Sequence, residues 1–370
     1  MVRHHQRHTR RLSEMLDSPF VQGCGDPVAA AAAYPRENAA FVILARNSEL
    51  DSVLHSMSSL EHHFNRWFQY PYVFLNDAAF TDAFKAGVSK GTKANVAFGQ
   101  VNSSMWGFPE WADKARYREA MAQQGDRGIK YGGLESYHHM CRFFSGYFFN
   151  HELVKDLEFF WRVEPDVTFF CDLTYDPFRM MKQHGKVYGF VIALKERLNT
   201  IPTLFRHVEA WRQEHRIKET SFADYNLCHF WSNFEIARVD FFQSERYMSF
   251  FNDLDKSGGF WLERWGDAPI HTFGAALLLE AEQIHYFRDI GYQHSDIAHC
   301  PANAPSPLIW SPKEMYNTSD GTQTMDDQFD EPKQGGHGCR CKCPLDYIDL
   351  EWRGGSCMNE WAKVVGGWLK

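Results

Sequence analysis

The sequence lacks three features that would assign it to familiar functional classes. It has no uninterrupted apolar stretch long enough to span a bilayer, and the basic residues at its start are not followed by the hydrophobic segment of a signal peptide. It has no surplus of positive charge, because 39 Lys and Arg are outweighed by 47 Asp and Glu. It has no C-x-x-C pair of the kind that holds structural zinc. These absences argue against a nucleic-acid partner and against a zinc-finger fold.

Cysteines and aromatic residues, in contrast, are abundant. The chain has nine Cys, 31 Phe, 15 Tyr and 12 Trp. Most of the rings are expected in the core, and the remainder suit a cleft that faces carbohydrate. The cysteines favour disulfides formed in a secretory compartment, chiefly among Cys300, Cys339, Cys341, Cys343 and Cys357. Because their number is odd, at least one thiol is expected to remain unpaired.

The chain divides into three segments. Residues 1–34 lack periodicity, end in an alanine run and are interpreted as a flexible leader or stem. Residues 35–305 carry the regular patterns of a folded domain. Residues 306–370 are rich in Pro, Gly, Ser and charge, and are interpreted as an irregular tail tied by cysteines.

Short apolar runs alternate with helical patterns in the middle segment. Strands are predicted at 41–44, 72–75, 159–163 and 186–194, and apolar residues at helical spacing predict a helix over 50–60. This alternation predicts an α/β domain with a parallel sheet, in which ligands bind beyond the carboxyl ends of the strands.

Glu164-Pro165-Asp166 follows one of the predicted strands. Pro165 cannot donate a ladder hydrogen bond, so the strand should end here. Two carboxylates spaced in this way can face one cleft and offer the oxygen ligands that Mn(II) or Mg(II) prefers beside a diphosphate. The ordinary alternative is a turn at the end of a strand.

Three further stretches combine polar and aromatic residues. Residues 225–235 interleave polar side chains with large rings and end in Glu235, which could act as a nucleophile or a charge stabiliser, or belong to an ordinary core strand. Residues 258–271 suggest a loop closing on a ligand, with His271 as a metal or phosphate ligand or as a structural histidine. Residues 131–146 begin as a Gly-rich turn and become a helix, a setting that favours anions.

Together these stretches resemble the fungal Golgi α-1,2-mannosyltransferases, glycosyltransferase family 15. The matching stretches are 39–77, 131–149, 161–165, 225–235, 258–271, Asp289-Ile290-Gly291-Tyr292 and Cys300-Pro301. The resemblance implies a GT-A-type nucleotide-sugar transferase fold, with a mixed, mostly parallel central sheet flanked by helices. It also implies a retaining α-1,2-mannosyltransferase that uses GDP-mannose, Mn(II) and a mannose-terminated glycan acceptor. A Golgi membrane location is expected from the family, although no anchor is visible in this sequence.

The resemblance also assigns roles to individual residues. Glu164 and His271 are expected to hold the metal, and Glu235 and Tyr137 to be catalytic. The residues expected to bind the nucleotide sugar are Arg46, Tyr131, Arg142 and Arg162.

Two other functions are compatible with the same residues. A non-catalytic glycan-binding or scaffold protein could use the same fold without turnover. A retaining glycosidase could use Glu164 and Glu235 as its pair of carboxyl groups. GDP release from GDP-mannose distinguishes the transferase from both.

Overall fold

The computed structural model describes residues 11–12, 17, 19–21, 23–218, 226–305, 315–317, 323–325, 329–344, 349–352 and 354–369. The strands are β1 (Arg11–Leu12), β2 (Ala39–Leu44), β3 (Tyr72–Asn76), β4 (Val96–Gln100), β5 (Phe159–Val163), β6 (Val167–Phe169), β7 (Tyr188–Phe190), β8 (Ala193–Lys195), β9 (Cys228–Phe230), β10 (Phe234–Arg238), β11 (Ile284–Tyr286), β12 (Tyr292–His294), β13 (Ile297–His299), β14 (Met315–Asn317), β15 (Gln323–Met325) and β16 (Trp368–Leu369).

The helices are α1 (Pro27–Ala33), α2 (Leu50–Leu60), α3 (Arg66–Phe68), α4 (Asp82–Lys90), α5 (Lys114–Asp126), α6 (Glu135–Gly146), α7 (Pro177–Gln183), α8 (Leu204–Glu214), α9 (Val239–Gln243), α10 (Glu245–Lys256), α11 (Gly259–Leu262), α12 (Asp267–Leu278) and α13 (Met358–Val364). A π-helical segment, Glu61–Asn65, joins α2 to α3. Within the described ranges, no helix is both long enough and apolar enough to cross a bilayer.

A seven-stranded sheet in the order β11-β7-β10-β5-β2-β3-β4 forms the centre of the molecule. β2 pairs in parallel with β3 and β5, and β3–β4 and β11–β7 are also parallel. β10 is antiparallel to both of its neighbours, β5 and β7. The predicted mixed, mostly parallel sheet flanked by helices is therefore confirmed.

Most strands of the sheet are buried on both faces, and their side chains are largely apolar on both faces. Along β2, Phe41 and Ile43 point into one core, with α2, α4 and α7, whereas Val42 points into the other. The second core contains side chains from α5, α6, α8, α10, α12 and α13. A smaller sheet, in the order β13-β12-β6, lies beyond the end of β5. The molecule therefore has the helix–sheet–helix layers expected of an α/β fold.

Two local predictions require correction. The single strand predicted at 186–194 is two strands, because β7 joins the central sheet while β8 turns away to pair with β9. The loop predicted over 258–271 is largely helical, and His271 lies inside α12. Pro269 lies in the first turn of α12, where proline is tolerated. In the sequence, this proline and the nearby glycines suggested a loop.

The alanine run is also ordered, which corrects its interpretation as part of a flexible leader. Asp26 caps α1 by accepting hydrogen bonds from the amides of Val28 and Ala29, and Pro27 occupies the first turn. Alanine has the highest helix propensity, and Ala30 and Ala31 also pack against the core, so the cap, the propensity and this packing together hold the helix. Residues 1–10 of the predicted leader lie outside the described residues.

Four disulfides are formed: Cys24–Cys339 joins the two end segments to each other, and Cys171–Cys341, Cys228–Cys357 and Cys300–Cys343 join the C-terminal segment to the central domain. The prediction of extensive pairing is confirmed. The expected partners are wrong in three of the four bonds, since only Cys300–Cys343 pairs two of the five cysteines singled out from the sequence. Contacts between distant segments decided the pairing, and sequence spacing does not reveal these.

Thiol counting on unreduced, denatured protein should therefore detect a single free thiol, that of the buried Cys141. Cys141 lies in α6 with its side chain buried in the core. A count after reduction serves as the control and should give all nine thiols. Nine thiols before reduction would contradict both the pairing and an oxidising compartment.

Candidate active site

The candidate site lies at the edge of the central sheet where β2 and β5 end and β10 begins. Because β10 runs antiparallel to β5, Phe234 lies opposite Val163 and Glu235 lies opposite Arg162. Ligands of open α/β sheets bind beyond the carboxyl ends of the parallel strands. This register brings Glu164 and Glu235, which are far apart in the sequence, to the same edge.

Glu164 is the first residue after β5, and its carboxylate is oriented by Arg162. Arg162 Nε donates to Glu164 Oε1 at 2.7 Å, and the Glu164 side chain is 19% exposed. The backbone oxygen of Glu164 accepts a hydrogen bond from Ser56 at 2.9 Å. Pro165 ends the strand as predicted, and Asp166 adopts a left-handed conformation with φ of 61°. The carboxylate is therefore held in place while part of it remains open to solvent.

A histidine that the sequence did not single out, His294, lies beside this carboxylate. It ends β12, which pairs with β6 so that His294 lies opposite Val167, just after Glu164 in the chain. The Trp231 ring stacks on it at a centroid distance of 5.6 Å. Its Nδ1 is buried and has no hydrogen-bond partner among the described residues. Burial lowers the pKa of His294 more than the Glu164 charge raises it, so the neutral ring can offer a lone pair.

Glu235 and His271 form a completely buried pair behind this edge. His271 Nδ1 lies 2.9 Å from Glu235 Oε2, and both side chains have 0% exposure. The hydroxyl of Tyr188 donates to the same Oε2 at 2.9 Å. His271 Nε2 lies 2.9 Å from the carbonyl oxygen of Phe144. Both ring nitrogens are therefore engaged, which corrects the expectation that His271 would offer one of them to a metal.

Arg162 is buried and lies between the carboxylate groups of Glu164 and Asp267. Its Nη1 donates to Asp267 Oδ2 at 2.5 Å, and Ser232 donates to the same oxygen at 2.6 Å. The guanidinium also lies 3.5 Å from the centre of the Phe144 ring. Burial alone would raise the pKa of Asp267, but the charges of Arg162 and His271, with the hydrogen bonds from Ser232 and Arg162, together outweigh it and hold this pKa at about 2. These bonds use Arg162 to hold Glu164 and Asp267, instead of the nucleotide that the sequence predicted.

The remaining predicted residues flank this edge. Tyr131 and Tyr137 pack at a centroid distance of 4.6 Å, and the Tyr137 hydroxyl accepts a hydrogen bond from Arg264 at 3.3 Å. Arg264 is in turn paired with Glu196 at 3.4 Å. Tyr131 is 45% exposed, and the side chain of Arg46, just beyond β2, is 70% exposed. These exposed groups are free to meet a ligand, and their roles stay predictions.

Arg142 is not placed to contact a nucleotide, which corrects its predicted role. Its Nε and Nη2 donate to the two carboxylate oxygens of Asp255 at 2.7 and 2.8 Å, and its side chain is 3% exposed. Nη2 also donates to the hydroxyl of Tyr147 at 2.6 Å. This pair ties α6 to α10 inside the core.

Replacing Arg142 by Ala should therefore destabilise the fold. The change leaves the buried Asp255 without its cation, and we expect the free energy of unfolding to fall by about 3–5 kcal/mol. Urea unfolding measures this loss. Arg116→Ala, at an exposed position of α5, is the control and should change it by about 0.5 kcal/mol or less. Equal losses in the two variants would contradict a structural role for Arg142.

Comparison with known proteins decides the family. Residues 21–313 match the family described as glycolipid 2-alpha-mannosyltransferase. The chain belongs to this family. O-glycoside alpha-1,2-mannosyltransferase homolog 5 of Schizosaccharomyces pombe is 43% identical to it, covering 97% of this chain and 86% of that protein. The glycolipid 2-alpha-mannosyltransferase of Saccharomyces cerevisiae is 42% identical, covering 97% of this chain and 74% of that protein.

Solved structures of similar mannosyltransferases agree with the fold. Core-mannan synthase A from Aspergillus fumigatus, in its Mn/GDP form, is 33% identical and has a TM-score of 0.77, covering 95% of this chain and 94% of that chain. The mannosyltransferase Ktr4p from S. cerevisiae, in complex with GDP, is 35% identical with a TM-score of 0.71 and covers 76% of this chain and 79% of that chain. The family and the GT-A-type fold predicted from the sequence are both confirmed.

Sequence reasoning on this mannosyltransferase-family member missed His294. The signal available was a histidine two residues after Tyr292, the end of a stretch that already carried the resemblance. The placement of His294 at the end of β5 depends on the pairing of β12 with β6, which the sequence does not show.

Proposed function

We propose that this protein is an α-1,2-mannosyltransferase that moves mannose from GDP-mannose to a hydroxyl group of a mannose-terminated glycan. The observation that carries the proposal is the juxtaposition of Glu164 and His294 at the carboxyl edge of the sheet of a glycolipid 2-alpha-mannosyltransferase family member. Two solved relatives bind GDP at 33% and 35% identity to this chain, which supports a GDP-linked donor.

The donor set at this edge fits a divalent metal ion, and Mn(II) is the ion we propose. Glu164 offers a partly exposed carboxylate, and the buried Nδ1 of His294 has no partner among the described residues. One oxygen and one imidazole ligand suit Mn(II), with the diphosphate completing the shell. When bound, the metal would neutralise charge on the departing GDP.

The protein's own residues would prepare the reacting centre electrostatically. Glu235 is buried at 0% exposure, so its charge is not screened by water and favours positive charge developing at the anomeric carbon. Tyr137, held by Arg264, would order sugar or phosphate oxygens. Arg162 keeps the Glu164 carboxylate turned to the metal side. GDP-mannose is an α-glycosyl phosphate, and transfer to an α-1,2 product would retain that configuration.

We also propose a secretory location, in the Golgi lumen or at its membrane. Its support is the four disulfides, which form and persist in oxidising compartments.

GDP release from GDP-mannose tests the proposed function. The purified protein is assayed with Mn(II), with and without a simple α-mannoside acceptor, and with UDP-glucose as the control donor. We expect GDP release that depends on the acceptor and little release of UDP. A scaffold protein would bind the mannoside without releasing GDP, and a glycosidase would cleave an aryl mannoside with no nucleotide sugar present. Either result would reject the proposal.

A further inference from the structure

The buried pair of His271 and Glu235 has an unusual distribution of hydrogen bonds. Glu235 Oε2 receives two contacts at 2.9 Å, one from Tyr188 and one from His271. Glu235 Oε1 is equally buried and has no hydrogen-bond partner among the described residues. A buried carboxylate oxygen without a donor costs free energy, and such groups concentrate at functional positions. Oε2 therefore anchors the side chain, whereas Oε1 is buried without a hydrogen-bond partner among the described residues.

The proton on His271 follows from its two partners. The carbonyl oxygen of Phe144 can only accept, so Nε2 carries a hydrogen. Nδ1 faces Glu235 Oε2, which already accepts from Tyr188. If the carboxylate is ionised, Nδ1 must donate as well, and the ring is then a doubly protonated imidazolium.

The charges nearby favour that ionised pair. Arg162, directly opposite Glu235 across the β5–β10 pairing, is paired with Asp267. With His271 protonated, the buried cations Arg162 and His271 face the buried anions Glu235 and Asp267, while Arg162 also binds the partly exposed Glu164. Loss of the His271 proton would leave one more buried negative charge uncompensated, and burying an unpaired charge is costly.

The groups packed around the imidazole point the same way. Glu235 faces it from β10 and Asp267 lies on its own helix, while the Tyr247 ring from α10 and the Phe242 ring from α9 cover it at 6.4 and 4.7 Å. Burial by itself would lower the pKa of His271. The two carboxylates outweigh burial, and the pKa is raised above its usual value.

We infer that His271 is a positioning residue: a protonated imidazolium that holds Glu235 through Oε2 and leaves Oε1 as the oxygen directed at the reaction. His271 would contact neither GDP-mannose nor the glycan acceptor, and it would act through Glu235. The inference rests on the proposed mannosyl transfer for its functional meaning, whereas the charge state of His271 does not.

Nitrogen NMR of the histidine rings tests the charge state in the intact protein. The His271 signals are assigned by their loss in His271→Gln, and the rings are titrated in the presence and absence of GDP. We expect both nitrogens of His271 to remain protonated above the pH at which an ordinary histidine loses its second proton. In Glu235→Gln the same ring should lose its second proton at a lower pH. A neutral His271 at about pH 7, or a titration unaffected by Glu235→Gln, would overturn the inference.

Kinetics of His271→Gln test the positioning role. We expect kcat to fall by about tenfold or more while the GDP-mannose affinity changes by about twofold or less. In the parent, kcat should fall as pH rises through the raised pKa of His271, because the protonated form is the active one. The variant should lack that basic limb. An unchanged kcat and an unchanged limb would contradict the role.

The two tests separate the possible failures. If His271→Gln does not fold, the titrations of the parent and of Glu235→Gln still decide the charge state. If the parent does not use GDP-mannose, the NMR result stands and only the proposed function fails.

Discussion

Glu235→Gln is expected to lower kcat by about 10²-fold or more, which corresponds to about 3 kcal/mol of transition-state stabilisation. The carboxylate has 0% exposure, and Phe234 beside it is equally buried, so water does not weaken its field. The amide is nearly the same size, and its oxygen can still accept a hydrogen bond from Tyr188, so the packing should be largely preserved. GDP-mannose affinity should change little. The measurement is kcat together with donor affinity.

Glu214→Gln provides the matched control for this variant. Glu214 is exposed at the end of α8, so the same chemical change there should leave kcat as it is in the parent. A Glu235→Gln enzyme within about threefold of the parental kcat, a difference under about 1 kcal/mol, would show that Glu235 is a structural residue. Its buried pair with His271 would then serve to anchor α12 on β10.

Removal of the metal is expected to reduce transfer to the background rate. Chelation with EDTA should abolish transfer, and added Mn(II) should restore it. Without the cation, the negative charges of Glu164 and the diphosphate repel each other, and nothing neutralises the charge that develops on the departing GDP. His294→Ala should weaken Mn-dependent GDP binding by about tenfold or more, since it removes the only imidazole ligand that we propose. Calorimetric titration of GDP with and without Mn(II) measures this effect.

His184→Ala is the control for the metal site. His184 is exposed and lies just after α7, so its loss should not alter GDP binding. Full activity in EDTA would reject the metal role, and unchanged affinity in His294→Ala would remove this histidine from the site.

Much of the central sheet could be predicted from the sequence because its signals are local. Residues 41–44, 72–75 and 159–163 are mainly apolar runs, with Arg162 as the one charged residue, and their burial on both faces requires no knowledge of distant contacts. The position of Glu164 at the end of a strand could also be predicted, because Pro165 marks that end. The prediction of a single strand at 186–194 was wrong, because the division of this run between two sheets depends on the distant partner strands β10 and β9.

The histidines show where local reasoning stops. His271 and His294 are both single histidines near polar residues, and nothing in the sequence states which one is buried. The structure places His271 inside α12 against Glu235, and His294 at the end of β12 against Glu164. Arg142 failed similarly, because Asp255, its partner, lies on another helix. Chemistry can be inferred from residue type, whereas the assignment of a residue to a site requires the long-range pairing of strands and helices.

The anomeric linkage of the product tests the central claim most directly. The protein is incubated with GDP-mannose, Mn(II) and methyl α-mannoside, and the disaccharide is analysed by NMR alongside the GDP released. We predict an α-1,2-linked mannosyl-mannoside in equimolar amount with GDP. A β-linked product, a product at another hydroxyl group, or no disaccharide while the protein remains folded and binds GDP would contradict the proposal that it is a retaining α-1,2-mannosyltransferase.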